Sequence, residues 1–496
     1  MLRHFFLSLA AFALGAAGTT HSIVRWSDAA RQDVEAGYRL FRENHPGWYD
    51  RSNPAFRTQL ERARKLGLDA ASLAHDERGY EDALGAFTTI VSDGHARLVG
   101  TDQDASAVTR WPGFIAAWRG QRLLIEEAVP TSPVPVGAEV VQCDEKPIRQ
   151  FITSRLESRG MRPSEAGQWW SKSPRALIDS SDASGSPPSH CTFRTGSRTT
   201  RLKLNWSPAP SDLADKLKKA SDGERTEIGL HEPRPGLFLI GLPNFDPDEV
   251  GRAAYRHLFT ELRNNRARLQ QAKAVVIDLR YNDGGSDEWG LQTAKALWGA
   301  DAVEAERADA QKRVQIWWRA SPGNTAYVEQ LSSRLGRERQ SSADQITRVT
   351  ALMRTALHSR NPFAIEPSDT PVKTGHAAPD FSAPVYVITP GRCASACLDA
   401  VDTFKLFRNT HLIGAPTSAD SQYIEIRTEP LPSGHGLAII PTKMWVNRPR
   451  KGGEVYNPDV EATQLDWSTK AFLDLIQAQL TAAGELRTPI KRRRWS

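Results

Sequence analysis

Two near-continuous apolar runs, "GLFLIGLPNF" (236–245) and "AVVIDLR" (274–280), flank the helical stretch "DEVGRAAYRHLFTELRNNRARLQQ". Strands that are apolar on both faces and joined through a helix call for a parallel sheet covered by helices, since that arrangement buries both sides of each strand. The pattern resumes with "PVYVITPGR", the helical "SACLDAVDTFKLFRN" and the strand "THLIGAPT". The expected fold class is therefore α/β. The polar stretch between these halves, about 301–371, carries helical patterning such as "ADQITRVTALMRTALH" and reads as a helical insertion or lid within a domain spanning 231–496.

Upstream, the chain reads as two further units. "SDAARQDVEAGYRLFRENHPGWY", "PAFRTQLERARKLG" and "ERGYEDALGAFTTIV" predict an N-terminal helical domain over 23–96, opening on Ser27 as a cap and broken at Pro46. From 97 to 230, short pieces such as "RLLIEEAV" and "GAEVVQCDEKPI" alternate with Pro, Ser and Gly clusters and predict a separate β-rich module. At the start, "MLRHFFLSLAAFALGAAGTTHS" has Arg3, an apolar stretch from Phe5 to Ala17 and small residues around Gly18. That stretch is too short to span a bilayer, so 1–18 reads as a cleaved signal peptide and the mature protein as exported, periplasmic or extracellular, with no stable membrane insertion.

Composition narrows the partners. The formal charge is +6 in 496 residues, and basic residues are interleaved with acidic ones except in the terminal "KRRRWS". That balance argues against a nucleic-acid surface. An oxidising compartment makes the even set Cys143, Cys191, Cys393 and Cys397 compatible with two disulfides, and proximity in sequence favours Cys143 with Cys191 and Cys393 with Cys397. No CxxC, HExxH or His-rich cluster accompanies them, so neither a metal nor a cofactor is expected.

Three segments carry candidate chemistry. Ser395 in "GRCASACLDA" falls between a buried strand and a helix whose apolar stripe is Leu398, Val401, Phe404 and Phe407. An oxygen held there faces free backbone N–H groups and the positive end of the helix dipole, so the Ala396 N–H can stabilise an oxyanion. A plain serine N-cap accounts for the same residue. "YNDGGSDEW" ends the preceding strand in Gly284 and Gly285, whose backbones can take positive φ and approach a ligand, although a simple turn reads the same way. His95 in "SDGHARL" lies in a polar turn after the helical domain, one of twelve histidines.

In this order and at these separations, "SDGHARL", "VVIDLRYNDGG", "PVYVITPGRCASACLDA" and "LIGAPTS" resemble segments of the tail-specific (C-terminal-processing) serine peptidases. They resemble still more the branch of the tricorn core and the interphotoreceptor retinoid-binding protein. "LPSGHGLAIIP" and "GEVYNPDVEAT" are similar to that family's closing strands. The resemblance implies a ClpP/crotonase-like core with Ser395 as nucleophile and oxyanion donors at Ala396 and at Gly284 or Gly285. It also implies a β-rich module that is PDZ-like around "PVPVGAEVVQCDEKPI".

One departure bears on mechanism. Where the tail-specific branch has a lysine base, "GAPTSADSQ" offers Asp420, and an ionised aspartate is a much weaker base toward a serine hydroxyl. Lys405 is expected on the helix after Ser395, and Lys443 on a distant strand. The resemblance then implies His95 as base, with an imidazole pKa suited to the task. Glu454 is the implied orienting carboxylate, with Asp93 and Asp459 as alternatives. A Cys393–Cys397 bridge would fix the turn around the nucleophile. The expected function is an exported serine endopeptidase acting on peptides or unfolded protein chains through an acyl-enzyme. A non-catalytic peptide or hydrophobic-ligand binding protein on the same fold is the second class, and another acyl hydrolase or an isomerase the third. Oligomeric state is not readable from the sequence.

Overall fold

The computed structural model describes residues 25–101, 109–181, 183–335, 340–367 and 381–487. The segment expected to be a signal peptide and the basic tail lie outside them. The fold is mixed α/β, with helices and several sheets.

The central sheet has six strands in the order Gly229–Arg234, Leu237–Gly241, Ala274–Asp278, Val385–Thr389, Thr410–Gly414 and Val460–Glu461. Every pair from Leu237–Gly241 onward is parallel, and only the first strand runs antiparallel to its neighbour. All residues of the strands Leu237–Gly241, Ala274–Asp278 and Val385–Thr389 are buried, as the apolar runs require. On one face, Ile240, Val275, Ile277 and Val387 share a core with residues of the helices Glu249–Asn264, Glu288–Trp298 and Ala396–Phe404. Each side chain of this kind contributes roughly 1.5–3 kcal/mol by leaving water.

On the other face, Leu239, Val276 and Ile388 share one continuous core with Trp118, Leu123, Trp169 and Trp170 of the β-rich region. That region forms an antiparallel sheet of Phe114–Arg119, Arg122–Ala128, Glu139–Cys143, His190–Thr195 and Arg198–Lys203. Cys143 stands opposite Cys191 in register and is bonded to it. The β-rich region is thus less separate than its composition suggests, because its apolar face is covered by the central sheet.

The N-terminal helices Trp26–Asn44, Phe56–Ala71 and Glu77–Val91 pack around Val34, Phe41, Leu60 and Phe87. The chain then enters the strand Arg97–Gly100, which pairs antiparallel with the long strand Gly436–Val446. Arg97 lies opposite Ile439. Ala438 and Ile440 of that long strand complete the helical core, so the start of the chain is bound to its end. The stretch expected to be a helical insertion also carries strands. Gln315–Arg319 pairs with Gly436–Val446, and Phe363–Ile365 pairs with Gln315–Arg319. A five-residue stretch such as "QIWWR", with three apolar residues in a row, has no periodicity that separates strand from helix. Among the described residues no helix is long and apolar enough to cross a membrane.

Candidate active site

Parallel strands place their carboxyl ends on one edge, and there two loops meet. The first follows Ala274–Asp278. Asn282, fully buried, donates through Nδ2 to the Leu242 carbonyl and accepts the Gly284 N–H on Oδ1 at 3.0 Å. This fixes the glycine tip against the second loop. A Cβ on Gly284 would lie 2.9 Å from both Ser395 Cβ and the Ala394 carbonyl oxygen, so only glycine fits, and its φ of +115° demands the same.

The second loop links Val385–Thr389 to the helix Ala396–Phe404. Ser395 caps that helix with φ +55° and ψ −130°, a left-handed conformation unusual for a residue with a side chain. Such a backbone persists only where its surroundings hold it, at a cost of about 1–3 kcal/mol. Two restraints are visible. The Cys393–Cys397 disulfide, fully buried, brackets the serine. Asp420 Oδ2 accepts the Ser395 backbone N–H at 2.7 Å.

Asp420 is itself buried and set in a charge network. Arg450 lies 3.7 Å from it and also pairs with Asp399 and Asp402 in the first turns of the Ser395 helix. Arg448 contacts the same two aspartates. Desolvation opposes the charge on Arg448, but Asp399, Asp402 and Asp420 outweigh it and raise its pKa. Tyr456 donates to Asp402 and is pushed upward by burial and then by that carboxylate.

The Ala396 N–H opens the helix and, among the described residues, donates no hydrogen bond; the same holds for Gly285. Gly284, by contrast, has its N–H engaged by Asn282, which leaves Gly285 and Ala396 as the donors available to an incoming oxygen.

His95 lies in the turn between the helix Glu77–Val91 and the strand Arg97–Gly100. Its backbone N–H donates to Asp93 Oδ1 at 2.8 Å, and Asp93 Oδ2 lies 3.5 Å from Nε2 of the fully buried His45. Burial pushes the His45 pKa down, opposed by Asp93. Burial acts to raise Asp93, but His45 and then His95 outweigh it and keep its carboxyl below the usual range. Asp93 therefore holds the turn and does not orient the His95 ring.

Arg162 joins the His95 turn to the Ser395 loop. A Cβ on Gly94 would sit 3.4 Å from its guanidinium. Its partner Glu165 accepts the Ala419 N–H at 3.0 Å, next to Asp420. Against desolvation, Glu165, Asp93 and Asp420 raise the Arg162 pKa, so its charge is felt on both sides. Among the described residues, neither Ser395 Oγ nor the His95 ring makes a hydrogen bond, and His95 Nδ1 is buried without one.

The other expected residues are placed as follows. Glu454 is exposed and accepts the Lys451 N–H at 2.9 Å. Its segment is tied to the serine loop, because the Gly453 N–H donates to the Asp420 carbonyl. Asp459 accepts the Leu412 N–H and holds strands together. Lys405 ends the Ser395 helix, and Lys443 is buried against Glu425 at 3.0 Å. Among the described residues no His, Cys, Asp and Glu cluster is arranged to hold a metal. Sequence reasoning missed His45, Arg162, Glu165 and the hold of Asp420 on Ser395. Each depends on partners far apart in the chain, and no local pattern marks them.

A largely parallel sheet whose carboxyl edge sets a serine at a helix head, beside a glycine tip, defines an α/β protein with a candidate nucleophile at that edge. Residues 238–462 match the model of peptidase family S41, a match that supports a serine peptidase in this region of the chain. Among solved structures, mature CPAF is similar in fold, with a TM-score of 0.59 at 12% identity over 92% of this chain and 98% of that one. Mature CPAF complexed with lactacystin gives 0.58 at 13% identity, over 93% and 99%. At such identity the likeness is one of fold. A search of curated protein sequences found no match.

Proposed function

We propose that the protein is an exported serine endopeptidase that cleaves peptides or unfolded protein chains through an acyl-enzyme on Ser395. The observation that carries this reading is the strained Ser395 at the head of a helix, 2.9 Å from where a Gly284 side chain would begin, with the Ala396 and Gly285 amides open to an oxyanion. In the proposed reaction His95 removes the Ser395 proton as the hydroxyl oxygen attacks the scissile carbonyl. The carbonyl oxygen gathers charge between the two amides. His95 then returns the proton to the leaving amine, and water repeats the sequence to release the acyl group.

For this, the imidazole has to close on Ser395 Oγ when substrate fills the cleft, as catalytic hydrogen bonds often tighten only in the complex. Glu454 is the proposed orienting carboxylate, which requires the 451–454 turn to release the Lys451 amide. The parallel sheet with its carboxyl-edge loops supports a ClpP/crotonase-like description of the core. The antiparallel sheet around Glu139–Cys143 supports a PDZ-like one for the β-rich region. Export is supported by the two disulfides.

The test is labelling by a fluorophosphonate probe. Wild-type protein is expected to label on Ser395 and Ser395→Ala not at all, with unchanged circular dichroism. His95→Ala is expected to label slowly. Equal labelling of the serine variant would remove Ser395 from the mechanism.

A further inference from the structure

Arg392 stands three residues before Ser395, and its Nε lies 2.6 Å from Oδ2 of Asp222. Asp222 is fully buried and ends the helix Leu213–Asp222 of the β-rich region. That helix is held by Leu217 and Ala220, which share a core with Ile115 and Ala117 of the strand Phe114–Arg119. A carboxylate at this place stands at the negative end of a helix dipole and away from water, so both surroundings oppose its charge. The contact is one of charge: among the described residues neither oxygen of Asp222 accepts a hydrogen bond. Pairing with Arg392 offsets the burial of the carboxylate and adds little net stability, as buried ion pairs generally do. What it fixes is the place of Arg392, and with it the start of the loop that carries Ser395.

The glycine loop is tied to the same corner. Tyr281 Oη donates to the Gly223 carbonyl at 2.9 Å, one residue beyond Asp222. Tyr281 holds φ +70°, a left-handed backbone for a residue with a large side chain, and leads through Asn282 and Asp283 to Gly284. A Cβ on Gly223 would lie 2.3 Å from the Trp467 carbonyl oxygen, so a third segment closes the corner from that side. Arg392 also reaches across to the glycine loop, with Nη1 3.8 Å from Oδ2 of the exposed Asp283. Two loops far apart in the chain thus take their bearing from one pair of residues outside the central sheet.

We infer that the Asp222–Gly223 corner sets the spacing between the Gly284–Gly285 tip and Ser395, with Arg392 as a positioning residue that acts through the Cys393–Cys397 elbow. The inference rests on the peptidase reading above and deepens it: the corner aligns the nucleophile with the oxyanion donors and takes no part in proton transfer.

The test compares Arg392→Gln, Arg392→Lys and the double variant Asp222→Asn with Arg392→Gln, which leaves no buried charge alone, in the full-length protein. Two quantities are read: the rate of fluorophosphonate labelling, and amide hydrogen exchange in peptides covering 281–288 and 390–400. Thermal unfolding is followed alongside. Arg392→Gln and the double variant are expected to label about ten- to hundred-fold more slowly, the loss a misaimed nucleophile brings, and to exchange faster in both peptides. The double variant should melt near the wild-type temperature, and Arg392→Lys, which keeps the charge, should recover part of the rate. Slower labelling that follows melting temperature from variant to variant, with Arg392→Lys no better than Arg392→Gln, marks the pair as merely structural and overturns the inference. Exchange that stays at the wild-type rate in either peptide overturns it as well. Absence of labelling in the wild-type protein, with exchange still faster in both peptides of the variants, removes the peptidase reading and leaves the shared anchor standing.

Discussion

The backbone N–H of Ser395 donates to Oδ2 of Asp420 at 2.7 Å, across 25 residues of sequence. A carboxylate stands where the resemblance leads one to expect a lysine base, and it grips the backbone of the nucleophile instead of its hydroxyl. Its own charge is balanced by Arg450. In the proposed mechanism Asp420 positions the serine backbone and His95 carries the proton.

Asp420→Ala is expected to lower kcat by about ten- to hundred-fold with KM little changed, because the elbow loses a charge-assisted hydrogen bond and the hydroxyl loses its aim. Asp420→Asn keeps an acceptor oxygen and should restore most of kcat. Steady-state kinetics on a fluorogenic peptide separate the two. A KM effect without a kcat effect would contradict a positioning role.

Gly284→Ala introduces a methyl into the space where Ser395 Cβ and the Ala394 carbonyl already crowd. A displacement of the nucleophile by about an ångström lowers kcat/KM by about 100-fold. Thermal unfolding should shift far less than activity does, since the tip lies at the edge of the sheet.

Replacing Cys393 and Cys397 together by serine removes a bridge that closes a loop of only a few residues. The lost stabilisation is roughly 2 kcal/mol or less on loop-entropy grounds. The larger effect is expected on activity, because Ser395 keeps its left-handed backbone inside that bridge. Denaturant unfolding and peptide hydrolysis measured side by side should show activity falling by more than about ten-fold, the factor expected from a misaimed nucleophile. Unaltered activity would mean that Asp420 alone suffices to hold the elbow.

His45 supplies a pH signature. Burial lowers its pKa in the folded protein, so as pH falls through about 6.5 the unfolded chain takes up a proton that the folded chain refuses, and stability declines. Asp93 has the opposite charge type: its lowered pKa adds stability above about 3.9, lost as pH falls through its folded value, so it adds no slope near neutral pH. The melting temperature is expected to drop between about pH 7 and pH 5, and His45→Gln should flatten that drop.

Much of the fold is legible in the amino-acid sequence alone. The runs "GLFLIGLPNF", "AVVIDLR" and "PVYVITPGR" can hide both faces only in a covered parallel sheet, and all three form it. Gly284 stands out as a strand-end residue of a type that tolerates an unusual backbone, Ser395 as the hydroxyl between a strand and a helix, and both disulfides pair consecutive cysteines. These features follow from burial periodicity, turn stereochemistry and the order of the cysteines along the chain. What only tertiary structure decided is who meets whom across the chain. Asp420 closes on the serine amide and Glu165 on the Ala419 amide, because segments distant in sequence are packed together. Such meetings depend on the summed packing of all the elements, and no single stretch of residues encodes them.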